Sequence, residues 1–149
     1  MPTPFESAQL NLHLFELRRE PVLREARPWF LRDFNPENFP DLVALASGQR
    51  NASFRMVVSY WDMAASLVTT GAIDAEAFRA AHGKIFATFS KIYLYLAELR
   101  SVSGEPEFCK HVEAVVLSTP GVEIILKRRR EAMNAAAKAR QPENLAQVT

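Results

Sequence analysis

The chain has a single cysteine, Cys109, so no intramolecular disulfide can staple it and the fold must rest on a buried core. Its five glycines are scattered, and none builds the loop that cradles a phosphate. The three histidines, His13, His82 and His111, include no pair four residues apart, the spacing that sets two imidazoles on one helical face for a metal. Cys109 and His111 are two apart, which on a helix turns them about 200° from each other. They can neither share an ion nor work as nucleophile and base. Paired Glu-x-x-His motifs are absent, which removes a di-iron bundle. No apolar run approaches the ~20 residues that span a bilayer, and the N-terminus lacks a basic region followed by an apolar one. The expectation is a cytoplasmic protein with no membrane span, no metal and no cofactor, for which an enzyme is the least supported reading.

What is present is ordinary globular material. Of 149 residues 48% are hydrophobic and 23% charged, and a chain this long buries roughly 68% of its unfolded surface as one domain. A net charge of +1 predicts no general attraction to nucleic acid or membrane. Nothing alternates at a strand's period of two; the apolar residues recur at helical spacing. The expected fold is all-α, a single-domain helical bundle over residues 1–140 with a flexible tail over 141–149.

The bundle is expected to form around Asn51 to Ser103, read as a long antiparallel helical hairpin. In its first arm Arg55, Ser59, Asp62, Ser66 and Thr69 share one narrow polar stripe; Phe54, Val58, Trp61 and Ala65 form one apolar flank, Met56, Tyr60, Met63 and Leu67 the other, with Val57, Ala64 and Val68 between. An apolar arc of roughly 200°, against ~100° on an ordinary surface helix, implies neighbours on two sides. Gly71 suits a left-handed helix end and Asp74 can cap the next N-terminus, which makes the link a tight turn. The second arm carries a seam of Phe78, His82, Ile85, Phe89, Ile92, Leu96 and Leu99, with Lys84, Thr88 and Lys91 opposite and a row of small residues, Gly83, Ala87, Ser90, Ala97 and Ser101, between.

Around the hairpin, Thr3-Pro4-Phe5-Glu6 reads as a capping box opening a helix continued by Leu10, Leu14 and Leu17. A break is expected near Arg19-Glu20, before Pro21. A helix bearing Trp29 and Phe30 follows, then turn residues Asn35 to Pro40 with Asn35 able to cap, a short helix over Asp41 to Ala46, and two further helices before and after Thr119-Pro120-Gly121.

Three groups of residues could carry function. Tyr60, Trp61, His82, Phe86 and Tyr93, aromatic or titratable near one end of the hairpin, could bound a small-ligand pocket. His82 is otherwise a core histidine needing a hydrogen-bond partner, since an unpaired buried imidazole costs about 1–3 kcal/mol. The polar stripe of the first arm either faces water or lines a cleft. Lys127, Arg128, Arg129 and Arg130 form a basic run in a segment that, from Gly121 on, has six Lys or Arg against three Asp or Glu. Cations near a helix C-terminus also oppose its dipole, and with no aromatic interleaving a solvated face is the favoured reading over nucleic acid as a partner.

Asn51-Ala52-Ser53-Phe54, Met63-Ala64-Ala65, Gly71-Ala72-Ile73-Asp74, Phe78, Gly83, Ile92-Tyr93-Leu94 and Leu99-Arg100 together resemble a bacterial helical family known as a domain of unknown function, DUF4760. The resemblance implies an all-helical fold in a bacterial protein and carries over no activity or site residue. Some relatives are tethered to membranes by an apolar N-terminal helix, from which this charged, amphipathic N-terminus departs. The leading functional expectation is a non-enzymatic interaction or scaffold module that binds a protein partner or itself as a homo-oligomer. A ligand sensor and a nucleic-acid binder are the alternatives.

Overall fold

The computed structural model describes residues 1–146, with side chains through residue 141. Every regular element among them is helical: α1 (Pro4–Leu17), α2 (Pro21–Arg32), α3 (Phe39–Ser47), α4 (Asn51–Thr69), α5 (Ala75–Ala81), α6 (Lys84–Ser90), a 3-10 turn (Tyr93–Tyr95), α7 (Leu96–Ser103), α8 (Lys110–Leu117) and α9 (Val122–Ala146). The helix of α9 continues past Gln141-Pro142 through Ala146, and what remains of the expected tail, residues 147–149, lies outside the described residues.

Local chemistry sets most boundaries. Thr3 Oγ1 accepts from the Glu6 N–H at 3.2 Å while Glu6 Oε2 accepts from the Thr3 N–H at 2.8 Å, the reciprocal capping box expected for α1. Glu20 caps α2 through the Leu23 N–H, and Pro21 takes the first helical position, where no donor is missed. Helix α2 runs unbroken through Pro28. The cap of α3 is Asn38, whose Oδ1 accepts from the Asp41 N–H at 2.8 Å. Asn35 does not cap: its amide nitrogen donates to the Arg32 carbonyl and its oxygen accepts from Lys91.

Helix α4 lies at the centre, packed mainly against α2 and α8. It ends at Gly71, with φ of 83°, and the Ala72 and Ile73 N–H groups both return to the Leu67 carbonyl. Asp74 then caps α5. The turn is as the sequence predicts, but the second arm is not one rod. It breaks at His82, where φ is −125° and ψ 50°, and again after Ser90, giving α5, α6, the 3-10 turn and α7.

Long-range contacts explain both breaks. His82 Nε2 reaches the Asn11 side chain at 3.0 Å, and α5 packs on α1 rather than alongside α4. Lys91, placed by the spacing on the side opposite the apolar seam, is buried: its Nζ donates to the carbonyls of Phe30, Leu31 and Phe34 at 2.8 Å and lies 2.9 Å from Asn35 Oδ1. An ammonium therefore closes the free carbonyl end of α2, where a cation also meets the negative end of the dipole. Burial pushes its pKa down to about 7, with Asp33 opposing the shift, and the four surrounding oxygens suit the protonated form. Segment α6 is consequently sunk between α8 and α9, with Thr88 and Ser90 buried, and the row of small residues does not run along one surface.

Trp29, Phe30, Phe34 and Phe54 form an aromatic cluster where α2 meets α4, with ring centroids 4.8 to 6.2 Å apart. The surplus apolar arc of α4 is thus covered from two sides by the chain's own helices.

Candidate interaction surface and neighbouring cleft

Of the five side chains expected to bound a pocket, three meet. Tyr60 and Trp61 rings stand edge to face at 5.2 Å, and Trp61 approaches the His82 ring at 6.2 Å. The Tyr60 O–H donates to the Leu14 carbonyl at 2.6 Å, tying α4 to α1, and burial pushes its pKa up to about 12. The guanidinium of Arg18 lies 5.3 Å over the Trp61 ring, and its pKa is lowered by burial first and by Arg27 second. These groups pack against one another where α1, α4 and α5 meet.

His82 is 1% exposed, and burial together with Arg18 drives its pKa down to about 4. Facing the Asn11 oxygen, Nε2 donates, while Nδ1 has no partner among the described residues. The ring is therefore neutral at physiological pH. Phe86 is buried in α6, and the Tyr93 ring packs on Phe89 at 6.0 Å.

The basic run also divides. Lys127, Arg128 and Arg129 are exposed, with Lys127 4.0 Å from Glu131. Arg130 is half-buried, its guanidinium 5.4 Å over the Tyr93 ring and its Nη1 without a partner among the described residues.

Helix α1 shows a surface that the seam of Leu10, Leu14 and Leu17 does not describe. It rests on the bundle through Ser7, Leu14 and Arg18, with Leu10 partly buried, and Leu17 points outward. Its outer side carries Phe5, Ala8, Leu12 and Phe15 at spacings of three, four and three, the two-heptad pattern of a helix-pairing seam. Phe5 is 69%, Leu12 67% and Phe15 50% exposed. The spacing was present in the sequence, but the leucines made the inner stripe the more visible one.

The polar stripe of α4 lines a cleft of about 650 Å³ instead of only facing water. Phe54, Arg55, Val58, Ser59 and Asp62 form one wall, and residues 104–109 the other. Left-handed residues bracket that loop, Gly104 with φ of 71° and Cys109 with φ of 58°. The loop is fixed where it enters α8. Asp62 Oδ1 accepts from the His111 and Val112 N–H groups, both at 3.0 Å, and Arg100 Nε donates to the Phe108 carbonyl while its Nη2 meets Glu113 at 3.2 Å.

The Cys109 thiol is buried, and burial first and Asp62 second push its pKa up to about 12, unsuited to a nucleophile. His111 Nδ1 lies 2.6 Å from Thr69 Oγ1. Among the described residues no three His, Cys, Asp or Glu side chains are grouped to hold a metal, and no helix is long and apolar enough to cross a membrane.

Residues 4–118 match a protein family described as a domain of unknown function, DUF4760. No solved structure matches the chain.

Proposed function

The chain belongs to that domain family, and from this premise we propose that it is a non-enzymatic helical interaction module that pairs with a second copy of itself through the outer face of α1. The observation that carries the reading is a second stripe on α1: one side rests on the bundle through Ser7, Leu10 and Leu14, and the other leaves Phe5, Leu12 and Phe15 in water. Apolar side chains recurring at helical spacing on one face normally mark a face that packs against another element. The apolar arc of α4, which also suggested a partner, is taken up by α2 and α8 and lends no further support.

A second copy is the occupant the spacing itself fits. In antiparallel pairing, residues whose numbers sum to about 20 face each other, so Phe5 meets Phe15 and Ala8 meets Leu12. A parallel pair sets Ala8 on Ala8 and leaves a gap. Two-fold pairing also covers both seams at once and closes, with no surface left to recruit a third copy. Two heptads are a short seam, so the affinity is expected in the micromolar range.

A ligand pocket among Tyr60, Trp61, His82, Phe86 and Tyr93 is less well supported, because Tyr60, Trp61 and His82 pack against one another and Phe86 is buried in the same core. Nucleic-acid binding draws only on Lys127, Arg128 and Arg129, since Arg130 is withdrawn against Tyr93. The proposal places the protein in the cytoplasm of a bacterium, supported by the family resemblance and by the absence of a spanning helix among the described residues.

Nitroxide labels test the pairing. Antiparallel helices bring the two copies of position 9 to roughly 10 Å and hold the two copies of position 19 roughly 30 Å apart, from a rise of about 1.5 Å per residue. Labels on Gln9→Cys should therefore couple strongly and those on Arg19→Cys weakly. Equal coupling at both positions indicates a parallel pair, and none at either position at high concentration overturns self-association through α1.

A further inference from the structure

We propose that the cleft between α4 and the 104–109 loop is a binding site for a small organic cation, an amine carried on an apolar body. The site is separate from the α1 surface and does not depend on it.

Its volume, about 650 Å³, falls within the range that takes small ligands. The lining is largely apolar, from Phe54, Val58, Pro106 and Phe108. The polar groups are few, and three of the four charged ones are carboxylates: Asp62, Glu105 and Glu107 against Arg55. Asp62 spends Oδ1 on the N-terminus of α8, and its Oδ2 takes no hydrogen bond among the described residues. Glu107 is paired with Lys110 at 2.8 Å, and Glu105 enters no ion pair among the described residues. Arg55 lies two helical turns before Asp62, roughly 10 Å away along α4, and makes no ion pair with it among the described residues. A cation seated by Asp62 and Glu105, with its body on the two phenylalanines, meets both requirements of the lining.

The wall opposite α4 is also built in advance. A non-glycine residue in the left-handed region costs energy that its surroundings must supply. At Cys109 this geometry coincides with the turn that aims the first N–H groups of α8 at Asp62. The cleft therefore needs no large rearrangement to accept a ligand.

A charge series on one body tests the assignment: 3-phenylpropylamine, 3-phenylpropanol and 3-phenylpropanoate, titrated into the full chain and followed by calorimetry and by amide shifts. The amine should bind tightest, roughly threefold to tenfold over the alcohol, with the acid weakest. Shifts should centre on Ser59, Asp62 and residues 104–109. In the Glu105→Gln, Glu107→Gln variant, altered only on an exposed loop, the amine's advantage should shrink while the alcohol's affinity holds. Ser59→Trp, which fills the cleft from an exposed helix position, should remove binding of all three. Equal affinities, or a preference for the acid, overturn the charge assignment; no binding of any of the three, or shifts centred elsewhere, overturns the site.

Discussion

Two buried ionisable side chains hold distant parts of the chain together, and each gives a measurable outcome. Folded His82 has a pKa near about 4 against 6.5 for the free side chain. Between those values the unfolded chain takes up a proton that the folded chain refuses. Stability from this group is therefore complete above pH 6.5 and falls as the pH drops toward 4, by about 3 kcal/mol over the whole window. His82→Leu should remove that part of the acid dependence, read as urea unfolding free energy at pH 7 and pH 4 for both proteins. A wild-type imidazole that titrates near 6.5 by NMR would contradict the burial argument.

Lys91 acts through its donors. In Lys91→Met three carbonyls at the end of α2 lose their partner, and the cost should be about 2–3 kcal/mol in urea unfolding. A Met variant as stable as wild type would mean that the cost of burying the ammonium cancels the hydrogen bonds of its three N–H groups.

At the scale of elements, short-range rules were legible and long-range ones were not. The capping box of Thr3 and Glu6, the break before Pro21, the left-handed stop at Gly71 and the cap by Asp74 each depend on residues within a few positions of one another. The division of the second arm depends on His82 meeting Asn11, 71 residues away, and on Lys91 meeting Phe30, 61 residues away. No local propensity encodes such pairings, and tertiary contacts override propensity where they are buried. The candidate sites divide in the same way. The polar stripe of α4 could be read from its spacing, whereas the loop that turns it into a cleft wall could not.

The turn at Gly71 gives a direct test of its backbone. An added Cβ meets nothing within 4 Å, so Gly71→Ala is opposed only by the positive φ. The substitution should cost about 1 kcal/mol in thermal or urea unfolding without changing the fold.

On the scale of the whole molecule, nine helices among the described residues enclose one core around α4. Among the exposed large hydrophobic side chains, Phe5, Leu12 and Phe15 fall in one seam on α1. Sequence periodicity alone indicated that some helix had more apolar face than one neighbour could cover. It pointed to α4, whose surplus the chain covers itself, while the uncovered seam lies on the first helix. Leu12→Glu sits at the middle of that seam on an exposed position, so it should leave the unfolding free energy within about 0.5 kcal/mol of wild type while removing the partner contact.

Sedimentation velocity over a concentration series, run on wild type and Leu12→Glu side by side, is the most direct test of this account. Wild type should pass from the mass of one chain toward that of two as concentration rises through the micromolar range, and the variant should stay at one. A wild-type chain that remains a single copy at hundreds of micromolar, or a variant that pairs as well as wild type, would contradict it.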